Sequence, residues 1–243
     1  MEPIYRENFE ITDIHLDRFG RVKPSVLLYF AQEAAVNHCT ALSLGWDDMN
    51  QRHLLWAIVR QKMQITRLPT AGETITVETW PMPTTRVAYP RSTVAYDQEG
   101  KELFRSISLW VLMDTDTRNM ILPGKSGIAV SGTLRGLELA EPHSLMVKPL
   151  ANQRSRIVGF TELDRNGHLN NTRYLDWIDD LIPSDYHKEH PMREITICYV
   201  AEALEGEEIH IGWELGRNIL NVDAHRADQE ANHDHVFSAQ VLF

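Results

Sequence analysis

The residues LDRFGRVKPSVLLYFAQEAAVNHCTALS (16–43) predict a tight turn that leads into one long helix. Apolar residues recur at helical spacing from Pro24 onward, and the pattern stops before Gly45. Proline fits the start of a helix, because the amide proton that it lacks would have no partner within the first turn. The apolar content of the helix predicts that most of it is buried.

Four segments after this helix are rich in β-branched and aromatic residues, as antiparallel strands are. They are WAIVRQKMQITR (56–67), ETITVETWPM (73–82), RVAYPRSTVAYD (86–97) and ELFRSISLWVLMD (102–114). Turn-forming residues separate the strands, for example at 69–72 and 97–100. A long helix followed by an antiparallel sheet predicts an α+β domain in which the sheet wraps the helix.

The second half of the chain repeats this plan. LDRNG at 163–167 matches LDRFG at 16–20 in all but one position, and Gly206-Glu207 matches Gly72-Glu73. A helix from about Thr172 to Ile182 is expected after the second turn. It is followed by the predicted strands REITICYV (193–200), EEIHIGWEL (207–215), ILNVDAHRA (219–227) and HVFSAQVLF (235–243).

The region between the two copies is dense in glycine, proline and serine from Asn119 to Pro149. Such residues favour connecting segments, so we expect the linker inside this region. The sequence therefore predicts two tandem domains, at 1–135 and 150–243, within an ordinary range of domain sizes.

Composition narrows the classes of function. Hydrophobic residues make up 43% of the chain and charged residues 24%, as in packed globular proteins. The net charge of -10 argues against a nucleic-acid partner, because binding to phosphates requires a concentrated positive surface. No run of about 18 apolar residues and no signal-peptide core occurs. We expect a cytoplasmic protein without a membrane span.

Polar residues cluster in FTELDRNGHLNNTRYLDWIDD (160–180). Asp164, Asn166, His168 and Asn170 are spaced two apart, so an extended segment would project all four side chains to one side. The residues that follow, Asn170-Asn171-Thr172, are good N-caps for the next helix. The sequence thus predicts a row of polar groups beside a helix N-terminus, where free amides can stabilise an oxyanion.

This set of side chains suits the hydrolysis of a thioester. A histidine moves protons near neutral pH, an asparagine holds a water or donates to an oxygen, and an aspartate orients the imidazole. A turn alone would be kept in both copies of the repeat. The first copy, however, has Phe19 and Arg21 where the second has Asn166 and His168. The Asn/His pair therefore points to chemistry in the second copy only.

At these residues the sequence resembles the acyl-acyl-carrier-protein thioesterases of plants and bacteria. The resemblance covers nearly the whole chain, and the family's DxNxHxNN motif falls on Asp164, Asn166, His168, Asn170 and Asn171. The resemblance implies catalytic roles for Asp164, Asn166 and His168. It also implies a catalytic role for Glu202, the acidic residue after Tyr199, with Asn170, Asn171 and Tyr199 as supporting residues. Plant members have a cysteine where this chain has Ala203, which excludes a thiol nucleophile at that position.

The resemblance also implies the fold, the reaction and the partner. We expect two tandem hotdog domains, release of free fatty acid from acyl carrier protein by activated water, and no cofactor. The first domain is expected to shape the acyl pocket, although its lining cannot be chosen from the sequence among such aromatic and methionine residues as Trp46, Met49, Trp56, Met63 and Trp80. Two alternatives remain open: an acyl-CoA thioesterase and a non-catalytic acyl-binding module.

A possible metal cluster consists of His225, His233 and His235. The segment also reads as a hairpin turn between the last two strands, and it offers no cysteine or well-spaced fourth ligand. From the sequence we expect no metal. Cys198 is expected to share a strand face with Glu202 but to be only a buried bystander.

The uneven distribution of charge bears on partners. Residues 1–141 carry a net charge of -2 and residues 142–243 carry -8. Acyl carrier proteins are acidic, so the first half is the better docking surface for them. The candidate docking residues are Arg60, Lys62, Arg67, Arg86 and Arg91. The sequence leaves self-association as a homodimer open.

Overall fold

A computed structural model describes residues 3–145, 150–227 and 234–243 of the chain. The chain forms two compact units, Met1–Pro142 and His143–Phe243. Within the described residues, no helix is both long enough and apolar enough to cross a membrane.

The first unit is an antiparallel sheet with one long helix. Its strands lie in the order β1-β3-β4-β5-β2, and the short β6 pairs with β5. The helix α1 contacts β1 and β3 and buries Leu27, Leu28, Phe30 and Ala34. The elements are β1 (Tyr5–Glu10), α1 (Pro24–Ala41), α2 (Trp46–Asn50), β2 (Leu54–Ile65), β3 (Thr74–Pro81), β4 (Tyr89–Tyr96), β5 (Glu102–Asp114), β6 (Met120–Ile121) and α3 (Pro123–Ser126).

The second unit repeats the sheet with the same topology. Its strands lie in the order β7-β9-β10-β11-β8, so in both units the first strand pairs with the third and the second strand pairs with the fifth. The elements are β7 (Asn152–Ile157), α4 (Arg173–Asp179), α5 (Ser184–Glu189), β8 (Glu194–Tyr199), β9 (Glu208–Leu215), β10 (Ile219–Arg226) and β11 (His235–Leu242). The identical order confirms the predicted duplication and the α+β class.

The helix of the second unit is shorter than the sequence predicts. The pattern indicated one helix from Thr172 to Ile182, but α4 ends at Asp179 and Pro183 caps the separate helix α5. Proline disfavours helical geometry in the residue before it, which explains the break. The apolar residues of α4 are still buried, and the ring of Tyr174 lies 4.9 Å from that of Phe237 in the sheet.

The segment after β6 belongs to the first unit up to Pro142, beyond the predicted domain end at residue 135. Trp80 Nε1 donates to the Glu138 carboxylate at 3.2 Å, and Arg105 Nη1 donates to the Leu137 carbonyl at 3.1 Å. A Cβ atom on Gly132 would lie 2.3 Å from the Met82 backbone, so only glycine fits there. Local packing therefore binds this segment to the sheet, and the division at 142/143 lies inside the region from Asn119 to Pro149 that the composition marked as the linker.

A buried histidine and arginine meet between α1 and β4. His38 Nδ1 lies 3.1 Å from Arg91 Nη1, and both residues are buried. A guanidinium only donates, so the imidazole nitrogen must be an unprotonated acceptor. Burial, together with the positive charge of Arg91, lowers the pKa of His38 from 6.5 to about 4.

This lowered pKa predicts a pH-dependent stability. Between pH 6.5 and about 4 the unfolded chain binds a proton at His38 that the folded chain does not. The free energy of unfolding should therefore fall as the pH falls through that window. We expect His38→Gln, which keeps an acceptor without this titration, to lose less stability than the wild type between pH 7 and pH 5 in urea denaturation. Parallel losses in the two proteins would contradict the prediction.

Candidate active site

The segment that carries Asp164, Asn166 and His168 is a closed turn and not an extended strand. The chain reverses within it, since Leu163 and Leu169 form an antiparallel bridge and Gly167 has a φ of 79°. The Asp164 carboxylate accepts the amide protons of Asn166 at 2.8 Å and His168 at 3.2 Å. The prediction of an extended row was therefore wrong, because hydrogen bonds from one carboxylate to the backbone bend the segment.

The same turn exists in the first unit. The Asp17 carboxylate accepts the amide protons of Phe19 at 2.8 Å and Arg21 at 3.0 Å, and Gly20 has a φ of 76°. Asp17 and Asp164 thus do the same local work in the two copies. Asp164 contacts His168 through the backbone amide of that residue. Its carboxylate also accepts a longer hydrogen bond of 3.4 Å from the side-chain amide of Asn166.

The structure brings His168 and Glu202 together. His168 Nε2 lies 3.4 Å from Glu202 Oε2, and the side chains are 15% and 37% exposed. Glu202 lies beyond the end of β8, because the amides of Val200 and Ala201 both turn toward the Val236 carbonyl. The imidazole of His168 is thus mostly buried, while the carboxylate of Glu202 is partly exposed to solvent.

The expectation that Cys198 shares a strand face with Glu202 was wrong, since the strand ends before Glu202. Cys198 is buried, and its Sγ lies 3.7 Å from the His143 carbonyl.

Two further residues, neither of which was predicted to belong to the site, hold the loop of residues 200–207 that carries Glu202 (the Glu202 loop). Arg226 donates from Nη2 to the Glu202 carbonyl and from Nε to Glu207 Oε1 at 3.0 Å. Glu207 also accepts the amide proton of Leu204 at 2.9 Å. Glu73 accepts the amide proton of Thr70 in the same way in the first unit. The match of Gly206-Glu207 with Gly72-Glu73 is the signal that could have identified Glu207, whereas no pattern in the sequence singles out Arg226.

The remaining motif residues fix the start of α4. Asn170 Oδ1 accepts from the amide and the hydroxyl of Thr172 at 3.0 and 2.8 Å. Tyr199 donates its hydroxyl proton to the Asn171 carbonyl at 3.1 Å. Burial raises the pKa of Tyr199, so this phenol stays protonated and able to donate. These contacts are structural supports for the motif loop.

The first unit carries the same scaffold without the reactive groups. Val22 donates its amide proton to the Pro69 carbonyl, as Leu169 does to the Ala203 carbonyl, so the two loops pair alike in both units. Aligned on these bonds, Leu68 stands where the second unit has Glu202. Together with Phe19 and Arg21, it replaces the whole Asn166, His168 and Glu202 set.

An apolar pocket opens in the first unit. Of the aromatic and methionine candidates, Trp56 lines it, whereas Met63 and Trp80 are buried in the core. Arg91 also reaches the pocket. The lining consists of Cys39, Leu42, Leu44, Trp56, Tyr89, Pro90, Arg91, Trp110 and Val130.

The predicted docking residues fall into different environments. The expectation for Arg91 was wrong, because its side chain is buried against His38 and Thr79. Arg67 is paired with Glu73 and Asp97, which offset its charge. Arg60 is half-buried and donates to the Pro142 carbonyl at 3.4 Å, Lys62 is half-buried, and Arg86 is exposed.

Residues 2–122 match the family model of the acyl-ACP thioesterase N-terminal domain. Residues 150–240 match the model of the acyl-ACP thioesterase C-terminal domain. The chain belongs to the acyl-ACP thioesterase family. It is 26% identical to a chloroplastic palmitoyl-acyl carrier protein thioesterase of Gossypium hirsutum, over 82% of this chain and 52% of that protein. It is 27% identical to a chloroplastic acyl-[acyl-carrier-protein] hydrolase of Cuphea viscosissima, again over 82% and 52%. The chain thus spans about half the length of these relatives.

Solved structures share the fold. An acyl-ACP thioesterase from Bacteroides thetaiotaomicron superposes with a TM-score of 0.85 at 24% identity, covering 99% of this chain and 98% of that one. The 12:0-ACP thioesterase from Umbellularia californica gives 0.83 at 21% identity, covering 100% and 97%. The predicted hotdog architecture is confirmed by these likenesses.

The repeated turn predicts equal structural costs in the two units of this thioesterase-family chain. Asp17→Ala and Asp164→Ala each remove a carboxylate that accepts two amide protons, which should destabilise the unit concerned by about 1–3 kcal/mol. We expect similar falls in the melting temperature of the two variants in thermal denaturation. A normal melting temperature for Asp164→Ala, beside a lowered one for Asp17→Ala, would show that Asp164 does not hold its turn.

Proposed function

We propose that this chain hydrolyses the thioester of fatty acyl-acyl carrier protein and releases a free fatty acid. The observation that carries the proposal is the 3.4 Å approach of His168 Nε2 to Glu202 Oε2. A proton-transfer pair of this kind is what water attack on a thioester requires. The pair stands on a scaffold whose other copy has Arg21 and Leu68 at the same places, so folding alone does not demand it.

In the proposed reaction, water attacks the thioester carbonyl carbon and gives a proton to the His168–Glu202 pair. The carbon–sulfur bond of the tetrahedral intermediate then breaks, and the proton passes to the leaving thiolate. The products are a carboxylic acid and the carrier's thiol. Asn166 is the candidate to hold the water or to donate to the oxyanion. Asp164 positions both side chains through their backbone amides.

Water is the nucleophile in this proposal. Ala203 follows Glu202, so no thiol stands at that position. Cys198 is buried with its Sγ at the His143 carbonyl, and it has no place in the reaction. His168 Nε2 and Glu202 Oε2 lie 3.4 Å apart, so the role of base is assigned to the two residues together.

The substrate, the partner and the location are also proposals. Relatives described as acting on acyl carrier protein support that substrate, and the apolar pocket of the first unit is the candidate site for the acyl chain. An acyl-CoA thioesterase and a non-catalytic acyl-binding module are the alternatives. A panel of acyl-carrier-protein and acyl-CoA thioesters, followed by release of free thiol, separates all three. The cytoplasmic location and a homodimer stay predictions.

A double-mutant cycle tests the pair. His168→Ala and Glu202→Ala should each lower kcat by about a hundredfold or more, the usual loss when a positioned acid or base is removed. The double variant should be hardly slower than either single variant, because groups that act as a unit are not additive. Melting temperatures should stay near that of the wild type.

The control for this cycle is a second His–Glu pair in the same unit. His210 Nε2 lies 3.7 Å from Glu208 Oε1 on β9, and both side chains are about half exposed. The same alanine changes there should leave turnover unchanged. Near-normal turnover of His168→Ala, or losses that add in the double variant, would rule out a coupled pair.

Docking of an acidic carrier predicts an effect of salt. Screening weakens charge steering, so the KM for acyl-carrier-protein substrates should rise with ionic strength while that for a neutral acyl thioester changes little. Arg60→Glu/Lys62→Glu and Arg86→Glu should raise the first KM and spare the second. Steady-state kinetics at low and high salt check this.

Lys101→Glu is the matched control for charge reversal, because Lys101 is a highly exposed lysine of the same unit whose Nζ pairs with Glu99 at 2.6 Å. If salt affects both substrates equally, or if Lys101→Glu acts as strongly as the other variants, docking on this surface is excluded.

A further inference from the structure

A second cluster of polar side chains lies on the β10–β11 hairpin and takes no part in the proposed hydrolysis. It contains Asp223, His225 and His235, each of which offers one ligand atom, and these three atoms lie within 4.8 Å of one another. Asp223 is buried, and the two histidines are partly exposed. His233, the third histidine that the sequence singled out, lies outside the described residues.

A β-bulge brings His235 to this cluster. Ala224 pairs with Phe237, but His225 pairs with His235, so Val236 is the extra residue. Without the bulge, Val236 would face His225 and His235 would point to the other side of the sheet. Bulges commonly re-aim a side chain beside a functional site. Here the bulge stacks the two imidazoles, with ring centroids 5.1 Å apart.

His225 Nε2 and Asp223 Oδ2 are hydrogen-bonded at 2.5 Å, whereas the contact between Asp223 and His235 is an ion pair without hydrogen-bond geometry. Asp223 Oδ1 and His235 Nε2 lie 2.9 Å apart, yet the geometry aligns no N–H with the oxygen and both buried atoms lack a hydrogen-bond partner. Buried polar atoms without partners are rare in folded proteins. Gly212 lies directly opposite Asp223 on β9 and so adds no side chain beside the carboxylate.

A second acidic residue, Asp234, completes the arrangement. His225 Nε2 lies 2.5 Å from Asp223 Oδ2, while its Nδ1 lies 3.3 Å from Asp234 Oδ2. A histidine that binds a metal through one nitrogen usually donates its other N–H to a carboxylate. Asp234 is placed to accept that proton and so to orient the ring.

We propose that Asp223, His225 and His235 bind one divalent transition-metal ion such as Zn²⁺, with Asp234 as the outer carboxylate. Two imidazoles and one carboxylate suit zinc, cobalt or nickel, whereas Ca²⁺ and Mg²⁺ prefer sites made of oxygen ligands. A tetrahedral ion with bonds of about 2.0–2.2 Å holds its ligand atoms about 3.3 Å apart, within the spread of the cluster.

The bulge also connects this site to the Glu202 loop. The Val236 carbonyl accepts the amide protons of Val200 and Ala201, and Arg226, the residue after His225, donates to the Glu202 carbonyl. An ion that joins β10 to β11 stabilises both anchors of that loop. The site itself does not depend on the proposed hydrolysis.

The experiment uses the full chain, freed of metal with a chelator and then titrated with Zn²⁺ by calorimetry. We expect one ion per chain and a higher melting temperature with zinc, because a ligand that binds only the folded state stabilises it. Co²⁺ should give the intense visible absorption of a tetrahedral site, while Mg²⁺ and Ca²⁺ should bind much more weakly.

Variants separate the site from adventitious binding. His225→Gln and His235→Gln should abolish tight binding, and Asp234→Asn should weaken it by about 10- to 100-fold, as loss of an outer partner does. His53→Gln is the control, since His53 forms a highly exposed pair with Asp116 at 3.3 Å. Circular dichroism verifies that each variant is folded. Unchanged zinc affinity in both histidine variants, or no binding by the wild type, would overturn the proposal and leave a His–Asp–His polar cluster.

Discussion

The carboxylate of Asp164 accepts the amide protons of Asn166 and His168, and this pair of hydrogen bonds determines where both side chains begin. The turn closes only because Gly167 adopts a positive φ that other residues rarely tolerate. Once it is closed, Leu169 pairs with Ala203, which sets the Glu202 loop beside His168. The candidate site is thus built from backbone hydrogen bonds, and the side chains of Asn166, His168 and Glu202 are attached to a frame that does not depend on them.

The duplication shows that the same backbone frame can carry different side chains in the two units. The first unit closes the same turn with Asp17 and Gly20, and Glu73 supports its paired loop as Glu207 does in the second. The first unit has instead a long helix and a pocket into which the buried Arg91 reaches. One copy therefore carries the long helix and the apolar pocket, while the other carries His168 and Glu202. The apolar pocket residues and the His168–Glu202 pair therefore occupy different units of the chain.

The sequence predicted the repeat, the α+β class and the strands well, because alternation and turn residues are local signals. It failed where a few long-range contacts override local pattern. The spacing of Asp164, Asn166 and His168 fits an extended segment, and nothing in it reveals that the carboxylate will bind the backbone. Pro183 was readable as a helix breaker, whereas the burial of Arg91 and the role of Arg226 depend on partners far away in the chain. The meeting of Asp223 with His235 needed a bulge, which no periodicity encodes.

The strand order has a consequence for the sequence of events in folding. In each unit the third, fourth and fifth strands follow one another along the chain and are neighbours in the sheet, so they can pair through contacts that are local in sequence. The second strand is expected to pair later. It pairs with the fifth strand, as β2 with β5 and β8 with β11, and closing the long chain segment between them costs entropy. The loop that bears Glu202 follows β8 directly and is anchored on Val236 of β11. We therefore expect His168 to meet Glu202 late in folding, when most of the sheet has formed.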